Sequence, residues 1–227
     1  MEKNKKSFRN QAESGGVRIG LFGASGCGKT TKARNIISAS RRLIVFDSIL
    51  GEWRDNCKKW LEKGVAVDNF KDLKKEILKR WYSGFKIVFV PKIGLEKKQL
   101  DELSKYILMI QDGYGLTHSA KLTFFIDEAQ ECIPSGTAQT WANHGALMLA
   151  RMGRKKGVNM VVASQRIKTV DINIRANLNC TYIFRLEELA DINEANQIIH
   201  DKTSLLSMKD FDYYYKTGGI IKFFKKS

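Results

Sequence analysis

One short glycine-rich segment constrains the fold of this chain more than any other feature. Residues 23–30 read G-A-S-G-C-G-K-T, which fits the phosphate-binding pattern G-x-x-x-x-G-K-[ST]. The apolar run 17–22 before it predicts a buried strand, and residues 31–40 after it predict a helix. Because glycines let the backbone curl, its N–H groups and the helix N-terminus can face a polyphosphate. The segment therefore predicts a loop that binds a nucleoside triphosphate.

We expect this loop to hold the nucleotide through its backbone and through two side chains. The ammonium group of Lys29 can reach the β- and γ-phosphates, and the Thr30 hydroxyl can hold Mg²⁺. The expected cofactors are therefore ATP and Mg²⁺. The predicted nucleotide-binding residues are Gly23, Ala24, Ser25, Gly26, Cys27, Gly28, Lys29, Thr30 and Thr31.

A second apolar segment, residues 122–126, is followed directly by Asp127 and Glu128. A carboxylate at the end of a parallel strand lies at the sheet edge where ligands of open α/β folds bind. We expect Asp127 to hold Mg²⁺ and Glu128 to deprotonate a water for attack on the γ-phosphorus. Such a water-activating pair indicates hydrolysis rather than transfer to a small molecule. No N-K-x-D guanine-reading segment follows the loop, which argues against a GTPase.

The rest of the chain alternates apolar strands with helical segments, which predicts a mainly parallel sheet flanked by helices. This is the α/β fold of a P-loop NTPase of the RecA/ASCE-like type. Segments 211–215 and 220–224 flank a glycine pair and predict a C-terminal β-hairpin. We interpret residues 1–16 as a mobile basic arm and 17–227 as a single P-loop ATPase domain. Further strands are predicted at 43–46, 85–90, 158–163 and 182–186, and further helices at 70–81, 100–110 and 137–152.

The composition narrows the setting in which the protein works. A formal net charge of +15 over 227 residues favours a polyanionic partner, either nucleic acid or anionic lipid headgroups. The four cysteines lie far apart without a C-x-x-C pair, which argues against a zinc site or disulfide framework and favours a reducing compartment. No apolar run approaches the ~18 residues needed to span a bilayer. We therefore expect no transmembrane segment of its own and no secretion signal.

A third group of segments carries a family resemblance. Residues 150–157 read A-R-M-G-R-K-K-G and precede the strand 158–163, which ends in Ser164-Gln165-Arg166. A later strand carries Arg185 near its end. Together with the phosphate loop and the acidic strand end, this order resembles the HerA–FtsK group of ring-shaped P-loop ATPases. The middle of the chain, residues 47–115, matches no segment of that group.

The resemblance implies a ring, with a hexamer expected, in which ATP lies between neighbouring subunits. Gln165 would sense the γ-phosphate and report its loss. Arg154, or less favoured Arg151, would reach the neighbouring subunit's nucleotide as an arginine finger. Taken from the residues alone, Gln165 could equally cap a turn, and either arginine could simply complement a helix dipole.

A chain that consists almost wholly of the ATPase core resembles, within that group, the genome-packaging ATPases of membrane-containing icosahedral dsDNA viruses such as tectiviruses. This implies a motor that drives double-stranded DNA inward, working in the host cytoplasm during assembly and then at a virion vertex. The implied partners are double-stranded DNA without sequence specificity, other copies of the chain, and capsid or membrane-vertex proteins. No base-reading motif is recognisable, which agrees with contacts to phosphates. Candidate DNA contacts are Lys92, Lys97, Lys98, Lys155, Lys156, Arg166, Lys168 and Arg175.

Three alternatives remain open: a cellular HerA/FtsK-like translocase, an AAA-type replication or helicase-loader ATPase, and a non-motor nucleotide-binding structural protein of the vertex. An AAA-type protein would be favoured by an arginine finger late in the chain and by a helical lid after the last strand, where a hairpin is predicted instead. The Asp127-Glu128 pair argues against the non-motor alternative. DNA-stimulated ATP hydrolysis would separate that alternative from a motor.

Overall fold

A computed structural model describes residues 16–48, 51–112, 121–135 and 144–226. Its strands are β1 (Arg18–Phe22), β2 (Arg42–Asp47), β3 (Val65–Val67), β4 (Phe85–Phe89), β5 (Leu122–Asp127), β6 (Val158–Ser164), β7 (Cys180–Phe184), β8 (Tyr213–Thr217) and β9 (Ile220–Phe224). Its α-helices are α1 (Lys29–Ile37), α2 (Glu52–Asp55), α3 (Cys57–Trp60), α4 (Phe70–Arg80), α5 (Glu96–Ile110), α6 (Ala129–Cys132), α7 (His144–Met152), α8 (Ile172–Ala176), α9 (Leu189–Ile199) and α10 (Lys202–Leu206). A 3₁₀ turn, Gly153–Lys156, follows α7.

The described strands form one nine-stranded sheet in the order β3-β4-β2-β5-β6-β1-β7-β8-β9. The strands from β3 to β7 in that order are parallel, and β8 and β9 add an antiparallel hairpin at one edge. This confirms the predicted α/β class and the predicted hairpin. The strand β6 lies between β1, which leads into the phosphate loop, and β5, which ends in the acidic pair.

The strand register brings the predicted functional residues to one edge of the sheet. Phe22 at the end of β1 pairs with Ser164 at the end of β6, and Ile126 of β5 pairs with Val162 of the same strand. Because parallel strands share their direction, the loops that follow β1, β5 and β6 all leave from the carboxyl edge. That edge is the place where the sequence predicts ligand binding.

The central strands β2, β5 and β6 are buried on both faces, which explains their nearly continuous apolar sequences. Successive residues of β5 alternate between two cores: Phe124 packs in one and Phe125 in the other, and both are fully buried. The helices α4, α5 and α7 cover the first core, and α1 covers the second. Each large buried aromatic side chain contributes about 1.5–3 kcal/mol of transfer free energy, so the central strands hold the site edge rigidly.

Two helices between β7 and the hairpin correct the expectation that a hairpin follows the last parallel strand directly. In α9, Ile192, Ala195 and Ile199 recur at helical spacing and pack with Tyr214 of β8 in a third core. Six of the eleven residues of α9 are apolar and recur at helical spacing, so the sequence itself carried a signal for this helix. Since helices do follow β7, the argument from the sequence that a helical lid is missing no longer counts against an AAA-type protein.

Most predicted boundaries move by up to two residues, but the helix predicted at 100–110 begins at Glu96 and the helix predicted at 31–40 ends at Ile37. The helix after the phosphate loop begins at Lys29 rather than at 31, because Gly28 is its N-cap and Gly28 O already accepts a hydrogen bond from the Lys32 N–H (3.0 Å). The strand predicted at 182–186 is β7, Cys180–Phe184, since the Asn179 N–H already donates to Arg18 O and so joins the ladder early. Two predicted segments lie partly outside the described residues, namely 137–143 of the predicted helix 137–152 and 1–15 of the predicted arm.

None of the helices within the described ranges is long and apolar enough to cross a bilayer.

Candidate active site

The phosphate loop is anchored at its start by two strands. The Gly23 N–H donates to Ser164 O at the end of β6 (3.2 Å), and the Ala24 N–H donates to Arg185 O just after β7 (2.8 Å). At the other end, Gly28 has φ 103° immediately before α1. L side chains rarely adopt this conformation, which explains the need for glycine. The curl predicted from the pattern is therefore built between β6, β7 and the start of α1.

Lys29 places a positive charge inside this curl. Its side chain is buried, and Nζ donates to Gly23 O (2.7 Å) and to Ala24 O (2.9 Å). Both acceptors belong to the loop that the sequence assigns to the phosphates. A lysine stem is flexible, so the same ammonium group can exchange these carbonyls for phosphate oxygens at little cost.

The remaining predicted loop residues divide by exposure. The exposed residues can present backbone N–H groups to a ligand, and the buried residues fix the loop on the sheet. The exposed residues are Ser25, Gly26 and Thr31, the half-buried ones are Gly28 and Thr30, and the buried ones are Gly23, Ala24 and Cys27.

Asp127 lies at the end of β5 and is 8% exposed. Its Oδ2 accepts a hydrogen bond of 2.7 Å from Nε1 of the fully buried Trp53. The pKa of Asp127 is raised to about 7, mainly by burial and in addition by the nearby carboxylates of Glu128 and Glu52. The hydrogen bond from Trp53 acts in the opposite direction and lowers this pKa. The carboxylate is thus oriented by one donor and lies in an electronegative environment that a cation would relieve.

Glu128 is held by an amide clamp, which we define as Gln130, Ser164 and Gln165. Gln165 Nε2 donates to Glu128 Oε1 (3.0 Å), and Gln130 Nε2 donates to Glu128 Oε2 (2.8 Å). Ser164 Oγ in turn donates to Gln130 Oε1 (2.5 Å). Glu128 itself has φ 44° and ψ 55°, a conformation that costs a non-glycine residue about 1–3 kcal/mol. The structure therefore brings Glu128 and Gln165 together, as a shared site requires.

Sequence reasoning missed two of these contacts. Gln130 stands two residues after Glu128, and that short spacing is a local signal that could have identified it. Trp53 is 74 positions away from Asp127 along the chain, in the part that matches no segment of the resembled group. Only the packing of α2 against the sheet brings Trp53 to the site.

Arg151 and Arg154 are exposed and lie at the opposite edge of the sheet from the phosphate loop. They precede β6, whose seven residues span about 20 Å. The Gly16 N–H, just before β1, donates to Arg154 O (3.3 Å), which places Arg154 near that strand's amino end. Burial first, and the charge of Arg154 second, lower the pKa of Arg18. Neither arginine can therefore contact the phosphate loop of its own chain.

Several of the candidate DNA-contacting residues are engaged within the chain. Arg166 forms an ion pair of 2.9 Å with Asp191, whose side chain is only 2% exposed. Arg175 pairs with Glu194, and Lys156 pairs with Asp112. These pairs give the three residues structural roles. Exposed candidates are Lys92, Lys97, Lys98, Lys155 and Lys168.

The chemistry of the donor set fits ATP with Mg²⁺. Mg²⁺ is usually held by one or two carboxylates together with phosphates and waters, not by a protein cage. The described residues contain no cluster of three or more His, Cys, Asp or Glu that could hold a metal ion. Asp127 offers one oriented carboxylate, and Thr30 lies in the first turn of α1. Both belong to the same carboxyl edge.

No protein-family model matches the chain, and no curated protein matches it. Among solved structures it is similar to the genome packaging NTPase B204 from Sulfolobus turreted icosahedral virus 2 in complex with ATP-gammaS. The TM-score is 0.69 at 16% identity, over 94% of this chain and 98% of that one.

Two further solved structures are similar over most of this chain. One is the pCW3 conjugation coupling protein TcpA with ATPgS, with a TM-score of 0.57 at 15% identity over 94% of this chain and 60% of that one. The other contains ATPases 2 and 3 of EssC from Geobacillus thermodenitrificans, with a TM-score of 0.53 at 13% identity over 93% and 39%. At these identities the similarity establishes the fold. The chain therefore has the P-loop NTPase fold predicted from its sequence, in the form shared by a viral packaging NTPase and a conjugation coupling protein.

Proposed function

We propose that this chain is an ATP-driven translocase of double-stranded DNA, the genome-packaging ATPase of a virus, acting at a capsid vertex. The observation that carries the proposal is the contact of Glu128 with Gln165 beside the phosphate loop. A water-activating carboxylate and an amide on neighbouring strands can couple ATP cleavage to movement of the following loop. The likeness to B204 over almost the full length of both chains supports packaging over the other motor functions.

The hydrolytic step uses four side chains of the carboxyl edge. Lys29 neutralises the β- and γ-phosphates, and loop N–H groups orient them for in-line attack. Thr30 and Asp127 would hold Mg²⁺, which would supply further positive charge to the same phosphates. Glu128 accepts a proton from the attacking water, with its carboxylate directed by the amide clamp.

A second subunit completes the site in this proposal. Because Arg154 and Arg151 lie about 20 Å from their own loop, only the nucleotide of a neighbouring subunit is available to them. A ring, with six subunits expected, satisfies this requirement in the same way at each interface. An arginine supplied across an interface stabilises the charge on the transferred phosphoryl group and raises the rate by about 10³-fold or more.

Coupling to DNA follows from the segment after β6. The hydrogen bond between Gln165 and Glu128 changes when the γ-phosphate leaves. The next residue, Arg166, forms an ion pair with Asp191 of α9, so a movement of Gln165 is passed on to that helix. Exposed lysines such as Lys168 on the same loop contact DNA phosphates without reading bases. The net charge of +15 supports a polyanionic partner of this kind. Capsid or membrane-vertex proteins would hold the ring in the virion.

The test compares the wild-type protein with Glu128→Gln. The amide keeps the shape of the side chain but cannot act as a base, so ATP binding should change less than about threefold while phosphate release falls by 10²-fold or more, an order-of-magnitude expectation for loss of general-base catalysis. The matched control is Glu131→Gln, since Glu131 is exposed on α6, the short helix that begins directly after Glu128. Normal ATP turnover by Glu128→Gln would refute the assigned role.

A further inference from the structure

The exposed aromatic residue Phe211 lies directly against the phosphate loop. Its N–H donates to Cys27 O (3.0 Å), and a Cβ placed on Gly28 would come within 2.8 Å of its Cδ1 atom. The side chain nevertheless keeps 42% of its surface exposed. The ring therefore forms part of the outer wall of the loop, where α1 begins, and contributes little to the three cores.

The backbone around Phe211 is held in place by its neighbours. Phe211 has φ 72°, which is an outlier for a bulky side chain. Asp210 on one side pairs with Arg185 (2.7 Å), whose carbonyl also anchors the loop. Asp212 on the other side is buried and accepts hydrogen bonds from the Lys209 N–H (3.2 Å) and the Lys226 N–H (2.8 Å). The backbone that carries the ring is thus held in place before any ligand arrives, which lowers the entropy cost of binding.

We propose that Phe211 is the platform on which the base of the bound nucleotide stacks. This inference rests on the proposed function, because it requires the loop to hold the triphosphate. With the phosphates in the loop, ribose and base must extend outward past its wall, and an exposed ring at that wall offers its face. The ammonium group of Lys226 lies over this face, 4.0 Å from the centroid, and because the lysine side chain is exposed and flexible it can move aside for a base.

A platform of this kind recognises the ring area of a base and not its hydrogen-bonding edge. Every base has a π-face, so stacking tolerates all four, and the larger purine rings gain more from it. The ligand class is therefore the purine nucleoside triphosphates, with GTP bound about as tightly as ATP. UTP should bind more weakly, and inorganic tripolyphosphate, which has no base, more weakly still.

The experiment measures dissociation constants for Mg²⁺ complexes of ATP, GTP, UTP and tripolyphosphate by titration calorimetry. Phe211→Gly removes the ring at a φ that glycine adopts freely, and Phe211→Trp retains an aromatic face. The matched control is Phe223→Ala, since Phe223 on β9 is equally exposed, at 44%. We expect Phe211→Gly to weaken ATP and GTP about tenfold or more, with tripolyphosphate within about twofold. Phe211→Trp and Phe223→Ala should bind ATP like the wild type.

Each contrary result has a distinct meaning. Unchanged ATP affinity in Phe211→Gly would overturn the platform, and so would an equal loss of ATP and tripolyphosphate binding, because the ring would then only support the loop. A wild-type protein that binds neither ATP nor tripolyphosphate would refute the proposed function itself, and the platform with it. That failure is recognised before any substitution is made.

Discussion

The amide clamp offers the sharpest prediction about catalysis, through Gln130. Gln130→Leu keeps most of the side-chain volume but removes the 2.8 Å hydrogen bond to Glu128 Oε2 and the acceptor for Ser164 Oγ. A hydrogen bond to a charged group contributes about 1.5–3 kcal/mol. If that free energy directs the Glu128 carboxylate toward the attacking water, its loss lowers kcat by roughly 10- to 150-fold. ATP affinity should stay within about twofold, since the side-chain hydrogen bonds of Gln130 in the described structure go to Glu128 and Ser164 and not to the phosphate loop.

The assay is steady-state phosphate release with saturating ATP, Mg²⁺ and duplex DNA, combined with a separate ATP-binding titration. Gln197→Leu is the matched control, because Gln197 is exposed on α9 and distant in sequence from the clamp. Turnover of Gln130→Leu at the wild-type rate would refute the positioning role. A parallel loss of ATP binding would also refute it, because the residue would then maintain the fold of the site rather than the direction of Glu128.

Three further predictions test the hydrogen bond from Trp53 to Asp127, the packing of the core and the ring of subunits. Trp53→Phe, which removes the donor to the buried Asp127 carboxylate but keeps an aromatic ring against Phe125, should lower the free energy of unfolding by about 1–3 kcal/mol in urea titrations, and Trp60→Phe by less. Phe124→Ala, at a fully buried position of the central strand, should cost about 3–5 kcal/mol in the same titrations, and a loss under 1 kcal/mol would contradict the described core. Arg154→Ala and Glu128→Gln subunits, each inactive alone, should regain part of the ATPase activity when mixed, since finger and base belong to different subunits; absence of any recovery would count against a finger acting between subunits.

The carboxyl edge of the sheet could be predicted from sequence because its residues follow apolar strands directly. Asp127 and Glu128 terminate one such strand and Gln165 another, so knowledge of parallel strands alone places them together. Trp53 and Phe211 could not be predicted in this way. Their roles depend on long-range packing, of α2 beneath β5 and of the segment before β8 against the loop, which local patterns do not specify.

The secondary structure shows the same division between local and tertiary causes. The hairpin was predictable because aromatic, strand-favouring residues flank two glycines, and Gly218 indeed has φ 53° at the turn. The strand β3 has three residues, of which none is fully buried, so no hydrophobic period marks it. Its strand conformation depends on pairing with β4. Helix α9, by contrast, was predictable, because six of its eleven residues are apolar and recur at helical spacing.

The central claim is that ATP hydrolysis drives movement along double-stranded DNA. The most direct measurement is displacement of a fluorescent third strand from a DNA triplex by the purified full-length chain, followed with ATP, with Glu128→Gln protein and ATP, and without nucleotide. The account predicts displacement only for wild-type protein with hydrolysable ATP, accompanied by release of phosphate. DNA-stimulated phosphate release from wild-type protein that never displaces the third strand would contradict it.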